Sequence, residues 1–441
     1  MKSDMNETQM LELENDCVQI LQELIRIPSV NYGEGKGDEE AVAKYVVSKL
    51  AEVGIESELI ETGPKRFNVV AHIAGQDSTR PGLVVHGHLD VVPANAADWS
   101  FDPFCGDLKD GYVLGRGAVD MKDADAMYLS IVRSWARTGY VPPRNILLIF
   151  FADEEAGSTY GSHWMVEHRP ELFVGYSEAI SEVGGFSVTI TGGHRLYFIE
   201  TAEKGIQWME ITATGSAGHG AQINSDNAVT KLSRVIARIG SHVWPQRETA
   251  TGAKFFGKIA ELTGDKYDPA NATDLLKHLG GVAKMMGATV QNTANPSMLS
   301  AGYKANVIPG SASAVVDGRF LPGFEHELEE TIQQLVGEDA EIHVQVRDKA
   351  LEVDFSGPLV DAMSAAILSQ DPEGIPVPYL MFGGTDNKAL SELGIVGYGF
   401  SPLRLPADLD FSALFHGVDE RVPVEGLKFG VRALVNFFDN C

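Results

Sequence analysis

Cysteine is scarce in this 441-residue chain: Cys17, Cys105 and Cys441 are the whole complement, an odd number with no CxxC spacing. That excludes a disulfide framework and a thiolate zinc site, and it fits a reducing cytoplasm. Positive charge is also short, with 35 Lys plus Arg against 61 Asp plus Glu and a formal charge of -26. Such a chain repels phosphate backbones and anionic lipid surfaces, which argues against nucleic-acid and membrane-surface roles. Apolar runs fall short of the roughly 18 residues of a membrane span. The acidic N-terminal stretch MKSDMNETQMLELEND lacks an apolar signal region. Internal repeats and low-complexity segments are missing too, so a soluble, unexported protein is expected.

What is present is enough apolar residue, 44%, to bury a full core, over a length that favours two domains. Apolar residues recur at helical spacing over residues 16–27 and 39–53, the second pattern stopped by Gly54. Residues 83–85 and 146–151 read as strands, the latter too continuously apolar to be half-exposed, with a helix over 124–138 between them. Alternating strands and helices of this kind make an α/β sheet whose site lies at the strands' carboxyl ends. Beyond about residue 190 the texture becomes α+β. Strands at 208–214, 312–321 and 342–346, with helices at 226–239 and 326–336, give two helices against an antiparallel sheet. Residues 250–296 read as loops and short helices. The α/β texture returns after Gly357 and ends in a helix over 424–438. The expected organisation is a discontinuous catalytic domain, 1–200 and 325–441, interrupted by a smaller inserted domain at 201–324.

Five segments carry chemistry. In LVVHGHLDVVP, His86, His88 and Asp90 share one side of an extended chain; either histidine suits a metal, with Asp90 holding its second ring nitrogen, and spacing does not choose between them. In GRGAVDMKD, Asp120 opens a helix, where alone it reads as an N-cap. In NILLIFFADEEAGSTYG, a buried strand delivers Asp153, Glu154 and Glu155 together, and a divalent cation is the simplest neutraliser of such crowding; alone, the segment reads equally as a solvated acidic turn. One carboxylate can ligate while its neighbour takes a proton from metal-bound water. Glu182 in EAISEVGGF and His416 in ALFHGVDERV complete the set. Together they supply a histidine and a carboxylate for each of two metals plus a bridging carboxylate, an oxygen and nitrogen set suited to zinc and compatible with cobalt or manganese.

The ordered motifs HGHLDVVP, GRGAVDMKD, FFADEEAGSTYG, SEVGG and FHGVDE resemble the co-catalytic dizinc metallopeptidase and amidohydrolase family. That family includes glutamate carboxypeptidase, aminoacylase-1, acetylornithine deacetylase and succinyl-diaminopimelate desuccinylase. The resemblance implies an α/β zinc-exopeptidase-like domain with a central mixed, mostly parallel sheet, and an α+β ferredoxin-like lid or dimerisation insert. It implies two zinc ions per chain, one on His88, Asp120 and Glu182, the other on Asp120, Glu155 and His416, with Asp120 bridging. Glu154 becomes the general base, Asp90 the orienter of His88, and His86 a structural residue. A cis peptide is implied between Asp120 and Met121. In the insert, His219 of TGSAGHGA corresponds to the histidine that stabilises the oxyanion, in dimeric relatives in the partner's site. Asn306, Arg319 and the loop Gly383, Gly384 and Thr385 correspond to groups that hold the substrate carboxylate. Asp123 departs from the family's usual glycine and brings a further negative charge towards the site. The implied activity is hydrolysis of an amide or peptide bond in a small substrate with a free carboxylate, of dipeptidase or carboxypeptidase type. The alternatives are an N-acyl amino-acid deacylase and a metal-free binding protein that keeps the fold.

Overall fold

The computed structural model describes residues 5–441; the first four residues of the acidic N-terminal stretch lie outside it. The segment 146–151 shows why the chain folds as it does. Every side chain of strand Ile146–Phe151 is buried. Ile146, Leu148 and Phe150 join one core, and Leu147, Ile149 and Phe151 another. An uninterrupted apolar strand therefore needs cover on both faces, and helices supply it. Glu7–Ile25, Lys122–Thr138, Pro358–Gln370 and Val424–Asn440 pack on the first face, and Ser162–His168 with Asn387–Ser391 on the second.

The large sheet has ten strands. Four central ones are parallel: Ile146–Phe151, Gly82–His88, Tyr176–Ser181 and Val396–Gly399. Ile375–Met381 adds a parallel pairing to Arg195–Glu203, and the remaining pairings are antiparallel. The sheet is thus mixed, with its parallel run at the centre. His88 ends one central strand; Asp153 to Glu155 and Glu182 directly follow two others.

The second unit follows the order strand, helix, strand, strand, helix, strand: Gly205–Thr214, Ala228–Gly240, Thr293–Ala301, Ser311–Phe320, Glu325–Val336 and Glu341–Asp348. Its four strands are all antiparallel, and the two helices close a separate core around Ile211, Leu232, Val316 and Ile332. This is the ferredoxin-like pattern. Its limits differ from 201–324. Leu328, Ile332 and Val336 belong to its core and strand Glu341–Asp348 to its sheet, so the unit runs past residue 324. Conversely, helix Ala250–Thr263, Leu275 and Val290 pack into the large core, so the middle of the expected insert returns to the catalytic unit.

Gly184 marks a tight contact beside the site. A Cβ there would stand 1.8 Å from the carbonyl oxygen of Gly399, a backbone atom of the adjoining strand. Gly184→Ala is expected to force those segments apart, two residues from Glu182, and to destabilise the protein by about 1–3 kcal/mol. Denaturant unfolding checks it; an unchanged midpoint would contradict the packing.

Candidate metal centre

The ends of the parallel strands bring Glu154, Glu155 and Glu182 to the same place as His88 and Asp120. His88 Nε2 lies 3.2 Å from Asp120 Oδ1 and 3.5 Å from Glu182 Oε2. His416 Nε2 lies 3.1 Å from Asp120 Oδ2 and 3.1 Å from Glu155 Oε2. The two oxygens of Asp120 therefore face two different histidines, the arrangement a bridging carboxylate needs. Glu154 Oε2 is 3.9 Å from His88 Nε2. Glu155 Oε1 is buried without a hydrogen-bond partner, and the donor atoms of His88, Asp120 and Glu155, and of His88, Glu154 and Glu182, are close enough to share an ion. A nitrogen and oxygen set with an orphaned oxygen fits divalent cations. The Asp120–Met121 peptide is cis.

Several local devices build this cluster. His88 Nδ1 donates to the backbone carbonyl of Asp90 at 3.0 Å, which places the proton on Nδ1 and leaves Nε2 free to ligate. The Asp90 carboxylate stands farther from that ring, 3.5 Å from Nδ1. It instead accepts the N–H groups of Glu154 at 3.1 Å and Glu155 at 3.2 Å. Asp90 thus orients His88 through its main chain and the acidic turn through its side chain. Arg116 donates to Glu420 at 2.6 Å and to the Gly417 carbonyl, while Glu420 accepts the Val119 N–H, so the His416 loop is clamped to the Asp120 loop. Asp386 accepts from Ser158 at 2.7 Å and Ser162 at 2.5 Å, holding the far side of the acidic turn. Asn31, Arg66, Arg116 and Glu420 are supports that the sequence motifs do not single out.

The structure separates the three adjacent acids. Asp153 turns away from the cluster to Arg66 at 3.2 Å and Asn31 at 2.9 Å, so a guanidinium neutralises it. His86 is buried, with Nε2 2.9 Å from Asn387 Oδ1, and burial lowers its pKa to about 4, which suits a neutral structural ring. Asp123 is buried as well; burial, with Glu420 and Asp120 nearby, pushes its pKa well above the ordinary value.

The remaining expected residues lie elsewhere. His219 is exposed on a short ladder, Gly218–His219 against Val307–Ile308, and the Gly220 N–H donates to the Asn306 carbonyl beside it. Arg319 is held by Asp317, Nε to Oδ1 at 2.7 Å and Nη2 to Oδ2 at 3.1 Å. Thr385 is buried, its N–H and hydroxyl both donating to Glu203, so neither is a free donor; Gly383 and Gly384 are half-buried. Among the described residues, no hydrogen bond or ion pair joins His219, Asn306 or Arg319 to the cluster.

A profile of Peptidase family M20/M25/M40 matches residues 84–440, a span that contains the whole cluster. The chain belongs to this family. As an M20 protein it is a metal-dependent hydrolase acting on C–N bonds. It is 28% identical to human aminoacylase-1 over 423 residues, covering 93% of this chain and 91% of that one. It is 25% identical to the Xenopus tropicalis N-fatty-acyl-amino acid synthase/hydrolase PM20D1, covering 98% and 87%. Its fold is similar to those of human carnosine dipeptidase 1, with a TM-score of 0.72, 16% identity and 98% of each chain covered, and of the Sulfolobus solfataricus metallo-carboxypeptidase Sso-CP2, with 0.73, 17% and 99% of each. Among the described residues, no helix is long and apolar enough to cross a membrane.

Electrostatics of this M20 site make metal uptake a proton exchange. Burial opposes charge on His88, yet Glu182, Asp120 and Asp90 carry its pKa well above the ordinary value. Hydrogen bonds to Asp120 and Glu155 raise His416 to about 10. Both imidazoles are therefore protonated at pH 7 when no metal competes, and both must lose a proton to ligate. Loading the metal-free protein at pH 7 is expected to release protons from these rings and from the raised ligand carboxylates Glu155 and Glu182, with apparent affinity rising as pH rises. Calorimetry in buffers of different ionisation enthalpy measures this; pH-independent uptake would refute it.

Proposed function

We propose that this M20 protein hydrolyses an amide or peptide bond next to a free carboxylate in a small substrate, with Glu154 as general base at a two-zinc centre. The observation that carries the reading is Asp120 set between His88 and His416, with Glu154 beside the pair. His88, Asp120 and Glu182 would hold one ion and Asp120, Glu155 and His416 the other, zinc by donor type, with cobalt or manganese as substitutes. When bound, such ions supply Lewis acidity and lower the pKa of water towards neutrality. Glu154 suits proton transfer: burial, then the charge of Glu182, push its pKa well above the ordinary value. It takes a proton from the attacking water and returns it to the leaving nitrogen.

Arg319, oriented by Asp317, would pair with the substrate carboxylate, assisted by Asn306 and by Gly383 and Gly384 of the 383–385 loop. His219 would donate to the oxyanion once the inserted unit closes over the substrate. The same unit supports a homodimer in which His219 serves the partner's site. Its edge strand Thr293–Ala301 exposes Met298 and Leu299, and Ile223 and Tyr303 are also strongly exposed. Three free cysteines support a cytoplasmic setting. The dipeptidase or carboxypeptidase reading and N-acyl amino-acid deacylation share this chemistry, and the aminoacylase-1 relatives favour the second.

Assays of the zinc, cobalt and manganese forms against dipeptides and N-acyl amino acids separate the two; hydrolysis of neither class would reject the reading. Glu154→Ala is expected to lower kcat by at least about 10²-fold while both metals stay bound, and near-normal turnover would remove its role. Mixing Glu154→Ala with His219→Ala protomers is expected to restore activity only if His219 acts across a dimer. Failure to complement, with each variant inactive alone and mixed dimers formed, would place it in its own chain's site.

A further inference from the structure

Behind the carboxylate cluster lies a second set of buried polar groups. Asn31, Glu39, Arg66, Asp90 and Asp153 are all buried, and Asn31 stands at their centre. Its Nδ2 donates to Asp90 Oδ2 at 2.8 Å and to Asp153 Oδ1 at 2.9 Å. Its Oδ1 accepts from Arg66 Nη2 at 3.0 Å and from the Gly33 N–H at 3.0 Å. The amide has one workable orientation, because a guanidinium and a backbone N–H only donate, and ionised carboxylates only accept. Arg66 is fixed in turn by ion pairs with Glu39 and Asp153 and by the ring of Tyr160.

The two carboxylates joined by Asn31 both grip the acidic turn. Asp90 accepts the N–H groups of Glu154 and Glu155, and Asp153 Oδ2 accepts the N–H of Tyr160 at 3.1 Å. The turn needs such anchors, since Asp153 and Ser158 both have left-handed backbones, at φ 67 and 54. Remove the amide donors and Asp90 faces Asp153 across a gap with no hydrogen between them, so two like charges push apart the elements that the bridge now joins.

We propose that Asn31 is a positioning residue of the active site: by bridging Asp90 and Asp153 it sets where the turn presents Glu154 and Glu155 to His88 and Asp120. The proposal rests on the reading of Glu154 as the base. A misplacement of about 1 Å in a reacting group costs on the order of 10²-fold in rate. The loss therefore falls on turnover, while Arg319 and the 383–385 loop, which no hydrogen bond or ion pair links to Asn31 among the described residues, keep their share of substrate binding.

Asn31→Ala and Asn31→Asp test this in the metal-loaded, full-length protein, the second keeping the shape of the side chain while losing both donors. Each is expected to lower kcat by about 10- to 100-fold with KM within about threefold, at wild-type metal content. Each is also expected to shift the visible absorption bands of the cobalt-loaded protein, because the Glu155 ligand moves with the turn. Leu21→Ala, a core change in helix Glu7–Ile25, is the control for general loosening. The proposal is overturned if folded Asn31→Asp keeps kcat within about twofold of wild type, if the cobalt bands stay in place, or if Leu21→Ala lowers kcat as much at an equal loss of melting temperature. Should the wild-type chain hydrolyse neither substrate class, the functional reading fails, and the cobalt spectra still decide whether Asn31 sets the turn.

Discussion

Four carboxylates, Asp120, Glu154, Glu155 and Glu182, meet where the central parallel strands end, and keeping like charges together there is the constraint around which the rest is arranged. Burial and mutual repulsion raise the pKa values of Glu154, Glu155 and Glu182, while the histidines outweigh burial at Asp120 and hold it well below the ordinary value. A group of acids in this condition is unfavourable as a free-standing element of a fold and favourable as a cation site. The apolar strands beneath it provide the rigidity: with both faces packed, Gly82–His88 and Ile146–Phe151 cannot relax to let the acids separate.

The supports follow from the same constraint. Buried hydrogen bonds tie several of the ligand-bearing segments down: Arg116 with Glu420 between the Asp120 and His416 loops, Asp386 with Ser158 of the acidic turn and Ser162 just beyond it, and Asn31 between Asp90 and Asp153. These contacts take up backbone and side-chain hydrogen-bonding capacity that would otherwise be stranded in a dry site. They also leave the ligating atoms unengaged by other protein donors.

Much of this was legible in the sequence because it is local. Period-two spacing put His86, His88 and Asp90 on one side of a strand, the family resemblance chose His88 between the two histidines, and the continuous apolar run over 146–151 announced a doubly covered strand with acids at its end. The supports were not legible, since Asn31 meets Asp90 across 59 positions and Asp153 across 122, where no spacing rule operates. Asp90 shows the finer limit: the residue beside His88 was evident, but not that its carbonyl takes the ring proton and its carboxylate takes the turn. Helix Ala250–Thr263 was read as loops and short helices because Gly252 and Gly257 weaken its signal, and packing, including Phe255 edge-on to Phe198, compensates. The start of helix Glu7–Ile25 was drawn too late, although Asn6 and Gln9 form a reciprocal cap. The 324 limit falls short of the helix over 326–336 and the strand over 342–346 that the α+β texture itself groups with the inserted sheet, and Glu341–Asp348 does pair with Gly205–Thr214.

The return of residues 250–290 to the large core changes what kind of joint links the two units. The chain crosses between them after Glu203, after Trp244, after Val290 and again after Asp348, so the smaller unit is tied at four points instead of two. A body on two adjacent strands can swing and twist about them; four crossings leave the smaller unit fewer independent ways to move. The joint itself is complete only after the chain has passed residue 348.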